Sequence, residues 1–282
     1  MAVLKIGGIA LFGIAALWTS GFQFAAASAS SPGFDITGFI ASVALAILAF
    51  KGFTTITNSG GEIIDPHRNV GRTIIISIAI CVVVYLIVAF AVGSSLTIDQ
   101  IIAAKDYSLA EAAAPALGNA GFYFTVVLAA VATASGVLAS VFAVSRMLAM
   151  LTEMKMIPHR HFGMSGPIRS HTLVYTVVIA SILAVFFDLT RIASLGAFFY
   201  LVMDMIVHWG VLRFMRQEVK ANGLIIVLAL VFDAVVLVAF TSMKLQSDPL
   251  IVVYAVSAIT AVFVFQRLYL SRWTAPRPSE KH

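Results

Sequence analysis

The sequence predicts an all-α membrane protein, a polytopic bundle of about eight transmembrane helices forming a single membrane domain over residues 1–282. Three observations predict it. Hydrophobic residues make up 61% of the chain and charged residues only 11%, about half the charged fraction of a soluble domain. Apolar runs of around twenty residues recur, each long enough to cross a hydrocarbon layer roughly 30 Å thick. These runs lack the shorter length and strict alternation of membrane β-strands.

Taken in order, the predicted spans are 2–26, 35–64, 71–96, 120–150, 172–188, 192–213, 223–243 and 249–270. Their lengths suit helices of varied tilt. The first run is too long for a signal peptide and has one positive charge, Lys5, before it. It is therefore expected to remain as a span. Residues 97–119 read as an external loop, in which Ser108-Leu109-Ala110-Glu111 starts a short helix, Gly118 ends it, and Asp99 to Ala104 form another turn. The last ten residues, with Pro276 and Pro278, read as a disordered tail.

The charges set the expected orientation. A net charge of +5 would suit nucleic acid, but the cations sit in short loops between apolar runs. No nucleic-acid partner is expected; the partner is the lipid bilayer. His67, Arg68 and Arg72 follow the second span, Lys155, Arg160 and Arg169 the fourth, and Arg213, Arg216 and Lys220 the sixth. The tail adds Arg272, Arg277 and Lys281, whereas the alternate loops carry Asp35, Asp99, Asp106, Glu111 and Asp188. Both termini are predicted to be cytoplasmic, in a multi-pass protein of the cell membrane. The single cysteine, Cys81, excludes an internal disulfide. His159 and His161 flank Arg160 without a third ligand, so no metal and no cofactor is expected.

The second span carries the chemistry. It reads Phe50-Lys51-Gly52-Phe53-Thr54-Thr55-Ile56-Thr57-Asn58-Ser59-Gly60-Gly61-Glu62. Glycine weakens helix, and hydroxyl side chains offer backbone groups other partners. Irregular backbone at membrane depth survives only where it is buried in protein or lines a wet cavity, and a broken helix there is the usual substrate site of secondary transporters. A continuous helix with small residues for close packing is the bland alternative. A lysine near the centre, which costs about 3 kcal/mol or more, favours the functional break.

The run from Phe50 to Glu62, followed by Asp65-Pro66-His67-Arg68-Asn69 and Arg72, resembles the sixth helix of the amino acid–polyamine–organocation superfamily. Ser145-Arg146-Met147-Leu148 followed by Ile157-Pro158 is similar to its eighth helix. The resemblance implies a leucine-transporter-type inverted-repeat fold. Residues 1–34 would be helix five and an external loop, 35–213 the second five-helix repeat, and 214–282 the last two helices and a tail. Helices one to four have no counterpart in these residues. It also implies an amino acid permease, not an enzyme, that moves amino acids or related amines by alternating access, with proton coupling as an option. A truncated or split half-transporter, inactive without a homo-oligomeric or separate partner supplying the first four helices, is the alternative.

The site residues follow from the same resemblance. Substrate would meet Phe50, Lys51, Gly52, Phe53 and Thr54. Lys51 departs from the small or neutral residue usual there and would suit an acidic substrate group or pair with an acid missing from these residues. Lys5, in Val3-Leu4-Lys5-Ile6, resembles a lysine whose amine stands where relatives hold sodium, with Ser135 and Ser140 among its candidate hydroxyl partners. It is equally read as an anchor lysine at the membrane edge. Glu62, Arg68, Arg72 and Arg146 would form ion pairs at an inner gate or anchor the helices. Asp204 and His208, four apart, share a helix face. They would relay protons or hydrogen-bond between helices, and Asp233 reads as structural or as facing a neighbouring helix.

Overall fold

A computed structural model describes residues 2–21, 23, 35–53, 56–57, 63–158 and 166–274. The described residues are almost wholly helical. The chain divides into two compact units, Met1–Phe34 with Gly52–Ala143, and Asp35–Lys51 with Val144–His282.

In the first unit, α1 (Ala2–Thr19) packs on α3 (Pro66–Ser95). Phe12 and Ala16 on α1 are buried with Ala91, Leu96, Ala112 and Ala113. Small residues let the two helices approach: a Cβ placed on Gly13 would fall inside the methyl of Ile87 on α3. After α3 comes α4 (Ile98–Ala104), capped by Thr97, whose hydroxyl accepts from Gln100 N while the Gln100 side chain accepts from Thr97 N. This reciprocal pair satisfies two donors that the first turn leaves open. Next, α5 (Ser108–Glu153) is interrupted at Gly118, whose φ of 63° and ψ of −158° are not helical. The expected loop helix ending at Gly118 is therefore present, and the long apolar stretch Gly118–Glu153 follows it directly. From Val144 onward, α5 belongs to the second unit.

The second unit holds α2 (Ile36–Phe50), α6 (Ile168–Phe186), α7 (Leu189–Gly210), a π turn (Val211–Met215), α8 (Gly223–Ser247) and α9 (Pro249–Thr274). The starts of α2, α7 and α8 are set by short polar side chains. Asp35 accepts from Thr37 N and Gly38 N, both at 2.9 Å, Asp188 from Arg191 N at 2.8 Å, and Asn222 from Leu224 N at 3.0 Å. A carboxylate there meets orphan N–H groups and the positive end of the helix dipole. The core joins α2, α7, α8 and α9 through Ala41, Ala44, Ala197, Phe198, Leu201, Val236, Phe240 and Ile251, with the Phe198 and Phe240 rings 4.9 Å apart. Thr172 Oγ1 on α6 donates to the Ser145 carbonyl of α5 at 2.9 Å.

Six described helical stretches are long and apolar enough to cross a membrane: Pro66–Ser95, Gly118–Glu153, Ile168–Phe186, Leu189–Met215, Gly223–Ser247 and Pro249–Ser271. Ile6–Thr19 and Ile36–Phe50 are apolar but shorter. The expected count of about eight spans thus becomes six full-length helices and two short ones. The expected second span, 35–64, is regular α-helix to Phe50 and a 3₁₀ turn over Lys51–Phe53, with residues 56–57 helical again; 54–55 and 58–62 lie outside the described residues. Large apolar side chains cover the outside of these helices, the pattern of a surface solvated by hydrocarbon. The chain is a multi-pass membrane protein. The α8 helix is the most enclosed, with a third of its most apolar stretch buried, against 6% for α3.

Candidate functional site

The regular part of α2 stops at Phe50 and tightens into a 3₁₀ turn over Lys51–Phe53. A 3₁₀ segment beside a glycine marks a place where the helix ladder is given up. Lys51 lies fifteen residues beyond Ile36, about 22 Å along the helix, short of the roughly 30 Å needed to cross a hydrocarbon layer. The α2 and α7 helices pack together. Gly196 of α7 accepts the Leu48 methyls of α2 at 3.3–3.6 Å from where a Cβ would stand.

The same register brings a carboxylate to the lysine. Asp204 lies fifteen residues beyond Leu189, as Lys51 does beyond Ile36. The two form an ion pair in which the ammonium donates to Asp204 Oδ2, with the side chains 7% and 20% exposed. The Lys51 ammonium also stands 5.5 Å from the centre of the Tyr200 ring, one turn back on α7. One turn onward, His208 Nδ1 is 2.9 Å from Asp233 Oδ2 of α8, whose side chain is 10% exposed. Asp204 and Lys51 both lie close enough for their charge to act on Asp233. Asp204 and His208 share a helix face, as their spacing predicts, but each pairs across to another helix. At the other end of α7, Arg191 Nε donates to Asp248 Oδ2 at 2.8 Å. The buried groups lie about 20–25 Å along α7 from that pair, on the side that leads to Arg213 and Arg216.

Buried charge in a membrane is expensive and survives when paired. Here Lys51, Asp204, His208 and Asp233 form two adjacent pairs linking α2, α7 and α8 beside a helix break. The arrangement can hold an ionised side chain at membrane depth and can exchange charge with a bound group. Among the described residues no three His, Cys, Asp or Glu gather to hold a metal.

The family model for amino acid permeases matches residues 1–273. The chain belongs to the amino acid permease family. Among its relatives is the inner membrane transport protein YbaT of Escherichia coli, 24% identical over 84% of this chain and 54% of that protein. An uncharacterized protein of Methanocaldococcus jannaschii is 30% identical over 61% of this chain and 40% of its own length. An uncharacterized transporter of Mycobacterium tuberculosis is 30% identical over 64% and 38%. The chain spans about half the length of the curated relatives it matches.

The other sequence-predicted positions are distributed as follows. Phe50 is half-buried and Gly52 exposed. The backbone of Phe53 closes the 3₁₀ turn, while its side chain, Thr54, Glu62 and the Lys5 side chain lie outside the described residues. Ser135 Oγ donates to the Ala132 carbonyl of its own helix at 3.0 Å, and Ser140 is exposed. Arg68, Arg72 and Arg146 are exposed. Sequence reasoning did not connect Asp204 to Lys51 or Asp233 to His208. The available signal was the equal distance of Lys51 and Asp204 from helix starts capped by Asp35 and Asp188.

Proposed function

We propose that this permease moves amino acids or related amines across the cell membrane as a secondary active transporter, by alternating access, with substrate at the break after α2. The observation that carries the reading is the buried Lys51 ammonium at the point where α2 leaves regular helix, held by Asp204. A half-helix end with a paired charge at membrane depth is a site where a charged substrate group can exchange for a protein partner. Backbone amides at Gly52, the rings of Phe50 and Phe53 and the Thr54 hydroxyl would line this half of the site. Lys51 favours substrates carrying a carboxylate that competes with Asp204. The family and its transporter-named relatives support transport over membrane catalysis.

Coupling to protons through Lys5, with Ser135 and Ser140 near it, and an inner gate of Glu62, Arg68, Arg72 and Arg146 belong to the same proposal. So do cytoplasmic termini, supported by the basic loops. The test is uptake of a radiolabelled amino-acid mixture into proteoliposomes, with and without a proton gradient. Uptake that is lost or weakened in affinity in Lys51→Gly supports the reading; unaltered affinity removes Lys51 from the site.

The half-length match to the relatives favours a second reading, in which these helices transport only together with a chain carrying the family's first four. The DNA immediately upstream decides it. A neighbouring frame encoding four apolar spans supports the second reading, and an in-frame continuation, which would place the four helices in one longer chain, overturns it.

A further inference from the structure

We propose that the His208–Asp233 pair between α7 and α8 is a proton-binding site, linked electrostatically to the Lys51–Asp204 pair at the break. The inference rests on the transport reading only for what the proton would drive. The carboxylate of Asp233 is an acceptor only, so in the neutral-imidazole state the proton on the ring sits on Nδ1 and is donated to Asp233 Oδ2 across 2.9 Å. That leaves the Nε2 lone pair to take an incoming proton. The buried four-group set of Lys51, Asp204, His208 and Asp233 then passes from a net charge of −1 to zero, and returns to −1 when Nε2–H is released. In a low-dielectric setting an uncompensated charge is the costly state, so the set favours a bound proton. Histidine is the side chain whose ordinary titration falls near neutral pH.

The route in is short. Asp233 is enclosed, but His208 keeps 35% of its side chain exposed, two residues before α7 gives way to the π turn that carries Arg213. The charges that reach Asp233 are those of His208, Asp204 and Lys51, and Tyr200 stands over Lys51. The elements packed against α7 and α8 add Arg213 from the π turn and Arg267 from α9, both exposed, and His171 and Tyr175 near the start of α6. Asp204 is one turn from His208 on α7. A substrate carboxylate that drew Lys51 away from Asp204 would leave the set more negative and tighten its hold on the proton. This is a direct physical link between substrate and proton.

The test uses the full chain in lipid nanodiscs with ¹⁵N-labelled histidine. The His208 imidazole signals are assigned by their loss in His208→Gln and followed from pH 8 to pH 5. The expected result is a protonation step at His208. At pH 6 its extent falls at least three-fold in Asp233→Asn, and in Lys51→Met the step begins at higher pH, since a nearby cation has been removed. A His208 signal that is constant over the range, or identical in all three proteins, overturns the proposal. Where Asp233→Asn does not fold, Lys51→Met and Asp233→Glu carry the same test, the latter retaining the step. In proteoliposomes, the stimulation of labelled amino-acid uptake by an inward proton gradient is expected to be lost in His208→Gln. If no amino acid moves at all while the His208 step is present, the transport reading fails and the proton site stands.

Discussion

Asp204→Asn keeps the volume and one acceptor of the aspartate but removes its charge, and with it the ion pair made by the Lys51 ammonium, whose side chain is only 7% exposed. Removing one member of a buried pair costs about 3–5 kcal/mol. Asp204 retains 20% exposure, so some of its charge is already screened and the lower end, about 3 kcal/mol, applies. This agrees with the cost of about 3 kcal/mol for a lone lysine at the centre of a membrane helix. Lys51→Met strands the better-exposed carboxylate and costs less, about 2 kcal/mol. With both charges gone the double variant loses about 2 kcal/mol, for the missing hydrogen bond and packing, so the coupling energy is about 3 kcal/mol. The assay is equilibrium unfolding in mixed micelles, read by the fluorescence of Trp209, five residues from Asp204 on the same helix, with Trp18 and Trp273 replaced by Phe in every protein compared. Single-variant costs that simply add, to within about 0.5 kcal/mol, would refute the claim that the two charges stabilise one another.

Three further outcomes test the packing. Gly13→Ala places a methyl against the β-branched Ile87, which cannot swing aside, so the α1–α3 contact loosens by about 1–3 kcal/mol, measured by unfolding of the same preparation. Asp35→Ala removes the acceptor for Thr37 N and Gly38 N and costs about 1 kcal/mol, seen as earlier unfolding of α2 in hydrogen exchange. Thr172→Val deletes the hydroxyl that ties α6 to the Ser145 carbonyl, at about 1 kcal/mol; an unchanged midpoint would show that water replaces the bond.

The apolar runs made the helices legible, because a stretch that must be solvated by hydrocarbon leaves little doubt about its composition. Asp35 and Asp188 read as loop acids and proved to be the residues that start α2 and α7. The turn at Asp99–Ala104 and the stop at Gly118 were also readable, since capping and positive-φ signals are local. The end of regular helix at Phe50 was visible in the Gly, Thr and Lys that follow it, though not the shortness of the helix before it. The pairings were not legible. Lys51 and Asp204 lie 153 positions apart, and no periodicity within either helix states which residue faces which across a helix contact. The i,i+4 spacing of Asp204 and His208 gave their common face correctly, but interhelical register gave each a different partner.

The central claim is that the break after α2, with Lys51 at its edge, is half of an amino-acid transport site. It is tested most directly by accumulation of a radiolabelled amino-acid mixture in proteoliposomes, with helices one to four of the family plan supplied alongside the chain. The account predicts saturable uptake whose affinity changes in Lys51→Gly. Absence of any flux from the supplied form, with the protein folded and inserted, would contradict it.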